Sequence, residues 1–184
     1  MATIMQNVQE LNQKVKVVHT LGPAGTNCEK AGLLWLEKQQ IKGKVVLHKT
    51  LEEALPYVKE TENSILIACA VYPYLHDIVF KNLSNLELID SFIMPTYNMV
   101  LAARQEFNFS KDTVIASHPA PANLAQAFSS NIKLVDSNAQ AALDCSLGIV
   151  DSCITTIKAA EQHNLFIVKD FGEVPMCFTV HARK

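Results

Sequence analysis

Two hydrophobic periods alternate along the chain. Short runs rich in β-branched and apolar residues stand at positions 15–18, 44–48, 64–69, 86–93, 97–103, 113–116, 132–135, 149–153, 165–168 and 177–181, and each predicts a strand. Between several of them apolar residues recur three and four apart, the stripe of an amphipathic helix. Cys28, Ala31, Leu34 and Trp35 make one stripe, and residues 51–58 another. Leu124, Ala127 and Phe128 make a third; Ala139, Ala142, Leu143 and Leu147 make a fourth, closed by Gly148 just past the helix end. Pro56 inside the second stripe predicts a kinked or short helix. Ile4, Val8 and Leu11 predict a short docking helix at the N-terminus. Strands alternating with helices read as an α/β fold with a mainly parallel sheet.

The helix starts say more than the helices. Thr50 with Glu53, and Ser137 with Gln140, have the spacing of a capping box, in which a hydroxyl takes an otherwise orphaned backbone N–H. The turn Gly22-Pro23-Ala24-Gly25-Thr26-Asn27 follows a strand and opens a helix, and Ser117-His118-Pro119 is expected to do the same. Thr155-Thr156 follow the strand expected to end at Cys153. A strand feeding a glycine- or hydroxyl-capped helix leaves N–H groups and a positive dipole end facing outward. Several such turns in one small chain predict a protein that holds a small anionic metabolite.

Composition narrows the picture. A chain of 184 residues suffices for one domain or two small lobes sharing a core. Its 49% hydrophobic and 18% charged content lies outside the disordered range. Sixteen Lys and Arg against eighteen Asp and Glu form no basic stripe, so no nucleic-acid partner is expected. The apolar runs are too short to span a membrane, and residues 1–14 show neither a basic n-region nor an apolar h-region. A cytoplasmic protein is expected. The five cysteines, without a CxxC pair, read as small buried hydrophobes in a reducing compartment. The six histidines form no metal-ligand spacing. Arg104 and Arg183 are the two arginines and neither lies in the turns, so no guanidinium clamp is evident. Backbone N–H groups, the hydroxyls of Thr26, Ser117 and Thr155, and Lys30 are left to hold an anion.

The stretch from Thr20 to Ala31, TLGPAGTNCEKA, resembles the opening motif of prephenate dehydratase catalytic domains. Ala116-Ser117-His118-Pro119 and Ser137-Asn138-Ala139-Gln140-Ala141-Ala142 match the same family in the same order, across roughly the whole chain. The resemblance implies an α/β, two-lobed fold like the type II periplasmic binding proteins, with the ligand between the lobes. Lobe 1 is then residues 1–94 plus 171–184, and lobe 2 residues 95–170. Residues 86–94 and 166–173 cross between the lobes, and residues 176–181 return to the first.

Three departures stand beside the matches. The dehydratase Thr-Arg-Phe that opens the last strand is replaced by Met176-Cys177-Phe178. Its Pro-Ile-Glu-Asn-Ser loop is replaced by Cys69-Ala70-Val71-Tyr72-Pro73-Tyr74, and its regulatory ACT domain has no counterpart before Lys184. The combination resembles instead the prephenate decarboxylases of the bacilysin, anticapsin and aeruginosin pathways. They share Thr-Leu-Gly-Pro-x-Gly-Thr, Ser-His-Pro-x-Pro-x-Asn-Leu (here Ser117 to Leu124) and a terminal Val/Ile-Pro-Met (here Val174-Pro175-Met176).

That resemblance implies a cofactor-free carbon–carbon lyase that releases CO₂ from prephenate while keeping the ring non-aromatic. Such an enzyme must withhold a proton donor from the C4 hydroxyl and offer one to the ring. It implies His118 and Thr26 as catalytic residues and Gly25, Asn27, Ser117, Asn123, Thr155 and Met176 as substrate contacts, with no metal. His118 is equally readable as a cap or packing residue of its turn, Thr26 as a helix cap, and Tyr72 and Tyr74 as pocket floor or packing. Cys28 reads as core-facing. A dehydratase with a divergent last strand and a non-catalytic anion-binding module are the alternatives. A homodimer is the assembly that the reading allows.

Overall fold

The computed structural model describes residues 14–106 and 108–184, so the N-terminal docking helix expected from Ile4, Val8 and Leu11 lies outside the described residues. The chain divides into two compact units, Met1–Met94 with Pro175–Lys184, and Pro95–Val174. The second crossing falls a few residues beyond position 170, because the strand Phe166–Gly172 stays paired to its neighbour in the second unit through Gly172.

The first unit is a five-stranded sheet in the order β2-β1-β3-β10-β4, built from β1 (Val17–Leu21), β2 (Lys44–His48), β3 (Ser64–Cys69), β4 (Leu86–Pro95) and β10 (Pro175–Arg183). β1 runs parallel to β2 and β3, whereas β10 runs antiparallel to β3 with Phe178 opposite Cys69. Its helices are α1 (Asn27–Lys38), α2 (Leu51–Glu60) and α3 (Leu75–Lys81). The alternation along β3 shows how both faces are covered. Ile65 and Ile67 enter one core with Ala31, Trp35 and Phe178, while Leu66 and Ala68 enter another with Leu51, Ala54 and Val58. α2 runs through Pro56 for ten residues, so the proline does not shorten it.

The second unit is a sheet in the order β7-β6-β8-β5-β9, built from β5 (Met99–Ala103), β6 (Ile115–Ser117), β7 (Ile132–Leu134), β8 (Ser152–Thr156) and β9 (Phe166–Gly172). β6 is parallel to β7 and β8, and β5 is antiparallel to β8 and β9. Both sheets are therefore mixed rather than mainly parallel; strand patterning reports burial, not direction. β5 alternates like β3: Val100 and Ala102 face α4 (Asn138–Ser146) and α5 (Ile157–Gln162), and Met99 and Leu101 face Ile115 and Ile154.

Each of the ten predicted runs contains a strand, with ends displaced by a few residues. The helix expected from Leu124, Ala127 and Phe128 is absent. A single 3₁₀ turn, Ala122–Leu124, stands there, closed by bonds from Leu124 N to Pro121 O at 2.9 Å and from Ala125 N to Ala122 O at 3.0 Å. α4 ends as expected: Gly148 adopts φ +75, with Gly148 N bonded to Cys145 O and Ile149 N to Asp144 O, both at 3.0 Å. The stripe of α4 is rotated, however. Ala141, Ala142 and Cys145 are buried, whereas Leu143 and Leu147 are exposed.

Candidate active site

Parallel strands end on one edge of a sheet, and in α/β folds ligands gather at such carboxyl edges. Each unit has one. In the first, β2, β1 and β3 end together and antiparallel β10 begins beside β3, where Ala70 N donates to Cys177 O at 2.9 Å. After β1, Gly22 N donates to His48 O at 2.8 Å, and a Cβ on Gly22 would stand 3.2 Å from Leu47 Cβ, so the turn lies tight against β2. Gly25 adopts φ +81, which glycine tolerates without strain. Thr26 is the N-cap of α1, its Oγ1 accepting from Glu29 N at 3.5 Å.

Glu29 changes the character of this turn. Its Oε2 accepts from Gly25 N at 2.5 Å, so the chain's own carboxylate occupies a donor expected to meet the substrate. Gly25 therefore does not present its N–H outward. The capping bond uses the Thr26 oxygen as an acceptor and leaves the hydroxyl proton uncommitted by that bond. Asn27 opens α1 at the same turn.

At the start of β10, Met176 is partly buried and packs on the core that holds Phe178 and Val180. Cys177 beside it is exposed, contrary to the expectation that all five cysteines are buried. Cys28 packs against the same core as Met176, and burial, with Cys69 adding to it, pushes its thiol up to about 12. Burial raises Cys69 as well, so neither thiol is poised as a nucleophile. Tyr72 donates to Glu52 Oε2 at 2.7 Å and meets Tyr74 edge-on, the ring centroids 6.1 Å apart. Burial first, then Glu52, pushes the Tyr72 phenol up to about 12.

In the second unit, β7, β6 and β8 end on the other edge. Ser117 is the last residue of β6 and fully buried; its Oγ donates to His118 O at 2.9 Å. No helix starts at Ser117, and its hydroxyl is used within the turn. His118 is partly buried, and its Nδ1 accepts from Ala120 N at 3.2 Å, as a capping reading expects. That bond sets the tautomer: the neutral ring carries its proton on Nε2. Burial holds its pKa below the usual histidine range, with Asp136 pulling the other way. Asn123 is exposed in the 3₁₀ turn, its Oδ1 accepting from Gln126 Nε2 at 3.2 Å.

At the end of β8 the two threonines divide the work. Thr156, not Thr155, caps α5 by accepting from Ala159 N at 3.2 Å. Thr155 is fully buried, and its Oγ1 donates to Asn138 O at 2.6 Å, tying β8 to the first residue of α4. In the sequence Asn138 stands only as part of a helix-opening motif. Its side-chain Oδ1 is buried, and among the described residues no donor reaches it. The sequence signal was available, since Asn138 follows the capping residue Ser137, but capping accounted for the motif without it. Arg104 is structural: its Nη1 donates to Cys145 O at 2.9 Å and Val150 O at 3.2 Å.

The second unit thus gathers Ser117, His118, Asn138 and Thr155 on one strand edge, while Gly25, Thr26, Asn27 and Met176 belong to the edge of the first. Among the described residues no group of three or more His, Cys, Asp or Glu could hold a metal ion.

No family model matches the chain. A curated prephenate decarboxylase from Bacillus subtilis (strain 168) is 30% identical over 183 residues, covering 92% of this chain and 88% of that protein. A prephenate decarboxylase from Planktothrix agardhii is 24% identical, with 93% and 90% covered. Among solved structures, a prephenate dehydratase from Staphylococcus aureus aligns with TM-score 0.62 at 16% identity, covering 90% of this chain and 65% of that one. The periplasmic VFT2 domain of Bordetella pertussis BvgS aligns over 100% of this chain and 86% of that one with TM-score 0.59 at 15% identity. These two establish the fold, that of the two-lobed type II periplasmic binding proteins and the dehydratase catalytic domain.

Proposed function

The chain belongs to the prephenate decarboxylase family, and from that premise we propose that it converts prephenate to a dihydro-4-hydroxyphenylpyruvate and CO₂. The bond from the ring's quaternary carbon to its carboxylate breaks, and the electron pair spreads over the two flanking double bonds. A proton adds at a ring terminus, so the C4 hydroxyl stays and the ring does not aromatise. Prephenate supplies its own electron sink, so the step needs no cofactor.

The observation that carries this reading is the extended identity to the Bacillus subtilis enzyme. The start of β10 supports it. Met176, where dehydratases resemble one another in having a threonine, packs on the core, and no carboxyl, imidazole or guanidinium lies between Pro175 and Val180. Met176 in place of that threonine has no proton to give a C4 hydroxyl.

We assign the ring proton to His118. A lowered pKa makes its imidazolium a stronger acid, at the expense of its population at neutral pH. Asn123 is the substrate contact in the unit that carries His118, where Thr155 acts as a positioning residue through the α4 start that it anchors; Thr26 and Asn27 are the candidate contacts of the other unit. Five free thiols suit a reducing compartment, the cytoplasm, and a non-aromatic product suits antibiotic or other natural-product assembly.

Purified protein incubated with prephenate and followed by NMR tests the reading. The ring carboxylate should disappear while the C4 proton and hydroxyl remain. Phenylpyruvate as the main enzymatic product would establish a dehydratase instead, and binding without turnover a non-catalytic module.

A further inference from the structure

A buried carboxamide oxygen without a donor is rare in a folded protein, because desolvating it without a hydrogen bond disfavours the fold. Asn138 Oδ1 is such an atom. It belongs to the first residue of α4, on the strand edge that also presents His118, and its residue is only partly buried. The backbone beneath it is fixed, since the Asn138 carbonyl takes the Thr155 hydroxyl at 2.6 Å. The side chain caps nothing; Ser137 does that, accepting from Gln140 N at 3.0 Å.

We propose that Asn138 is a specificity-determining residue whose Oδ1 accepts a hydrogen bond from the C4 hydroxyl of the substrate. The inference rests on prephenate being the ligand. At neutral pH prephenate has two carboxylates and a ketone, which only accept, and one hydroxyl, which can donate. A buried acceptor therefore selects that hydroxyl from everything else on the molecule. It also bears on the outcome of the reaction. A carboxamide oxygen has no proton to give, so a hydroxyl held by it is oriented without being converted to water, and the C4–O bond survives loss of CO₂.

The test pairs a variant with a ligand change. Asn138→Leu keeps the side chain's shape and removes the acceptor, and 4-deoxyprephenate removes the donor. The wild type should bind and process the deoxy compound about 10- to 100-fold less well than prephenate, because the acceptor is then left buried and unpaired. Asn138→Leu should lose about as much on prephenate and treat the two compounds alike, while melting no earlier than the wild type, since removing an orphan polar atom from the free protein favours the fold.

Equal handling of the two compounds by the wild type overturns the proposal, as does an Asn138→Leu enzyme that keeps full kcat/KM on prephenate. An oxygen satisfied only by water predicts those same results. The wild-type comparison needs no variant, so it stands even if Asn138→Leu fails to fold. Affinities are read by calorimetry and CO₂ release separately. A protein that discriminates the hydroxyl but releases no CO₂ contradicts the decarboxylase reading and not this one; CO₂ release without discrimination does the reverse.

Discussion

Thr155 and Asn138 are joined across seventeen residues by a 2.6 Å hydrogen bond from hydroxyl to carbonyl, so the end of β8 sets the position at which α4 begins. The sequence places a ligand contact at Thr155, yet Thr155 spends its proton on the protein. Replacing Thr155 by Val keeps the shape and removes the donor. Stability should fall by about 1–2 kcal/mol in urea denaturation, because the buried carbonyl loses its partner. KM for prephenate should rise, since the α4 start is loosened, and Thr155→Ser should restore both. A Val variant with unchanged urea midpoint and KM would remove the anchoring role.

His118 is expected to govern the pH profile. Burial lowers its pKa below 6.5, and the acid form is the one that can protonate the ring. Wild-type kcat should therefore be highest on the acid side and decline as pH rises through that lowered pKa. His118→Gln should cost roughly 10²–10⁴ in kcat and abolish the decline. A raised KM with the profile unchanged would make His118 a binding residue instead.

Thr26 and Ser117 should now part company. Thr26→Ala removes an N-cap and should cost about 1 kcal/mol of stability. If its hydroxyl also meets the substrate, kcat/KM falls roughly ten- to a hundredfold beyond that. Ser117→Ala removes a bond inside its own turn and should lower the melting temperature while sparing kcat/KM. Unimpaired catalysis in Thr26→Ala would move the site away from the α1 start.

Acid should destabilise the protein through a histidine pair of which His19 is buried and His48 partly buried. His19 Nδ1 and His48 Nε2 stand 2.8 Å apart, and His19 stacks on Tyr57 with ring centroids 5.5 Å apart. Burial, then His48 and Lys44, lowers the His19 pKa from 6.5 to about 4; burial lowers His48 too. Between those values the unfolded chain binds more protons than the folded one, so stability rises with pH. The contribution is fully present above 6.5 and is lost as pH falls toward 4. His19→Gln should flatten this part of a stability-against-pH curve measured by urea denaturation. An unchanged slope would show that other groups carry it.

Periodicity alone located every strand segment, because β-branched runs bounded by turn residues leave little choice of backbone. The caps Thr26, Thr50 and Ser137 were equally legible, since a hydroxyl oxygen three residues before the N–H that it accepts from is a local relationship. Direction was not. Whether β10 runs with or against β3 depends on a return from the second unit more than a hundred residues after β3, and no local signal encodes it. The same limit applied at the candidate site. Residue type and spacing singled out Thr26, Ser117, His118 and Thr155. Only the tertiary structure decided that Glu29 occupies the Gly25 N–H, that Ser117 and Thr155 spend their hydroxyls on backbone carbonyls, and that Asn138 keeps a buried oxygen without a partner. A hydrogen-bonding group announces its capacity in the sequence, but which partner consumes that capacity is settled by distances that exist only after the chain has folded.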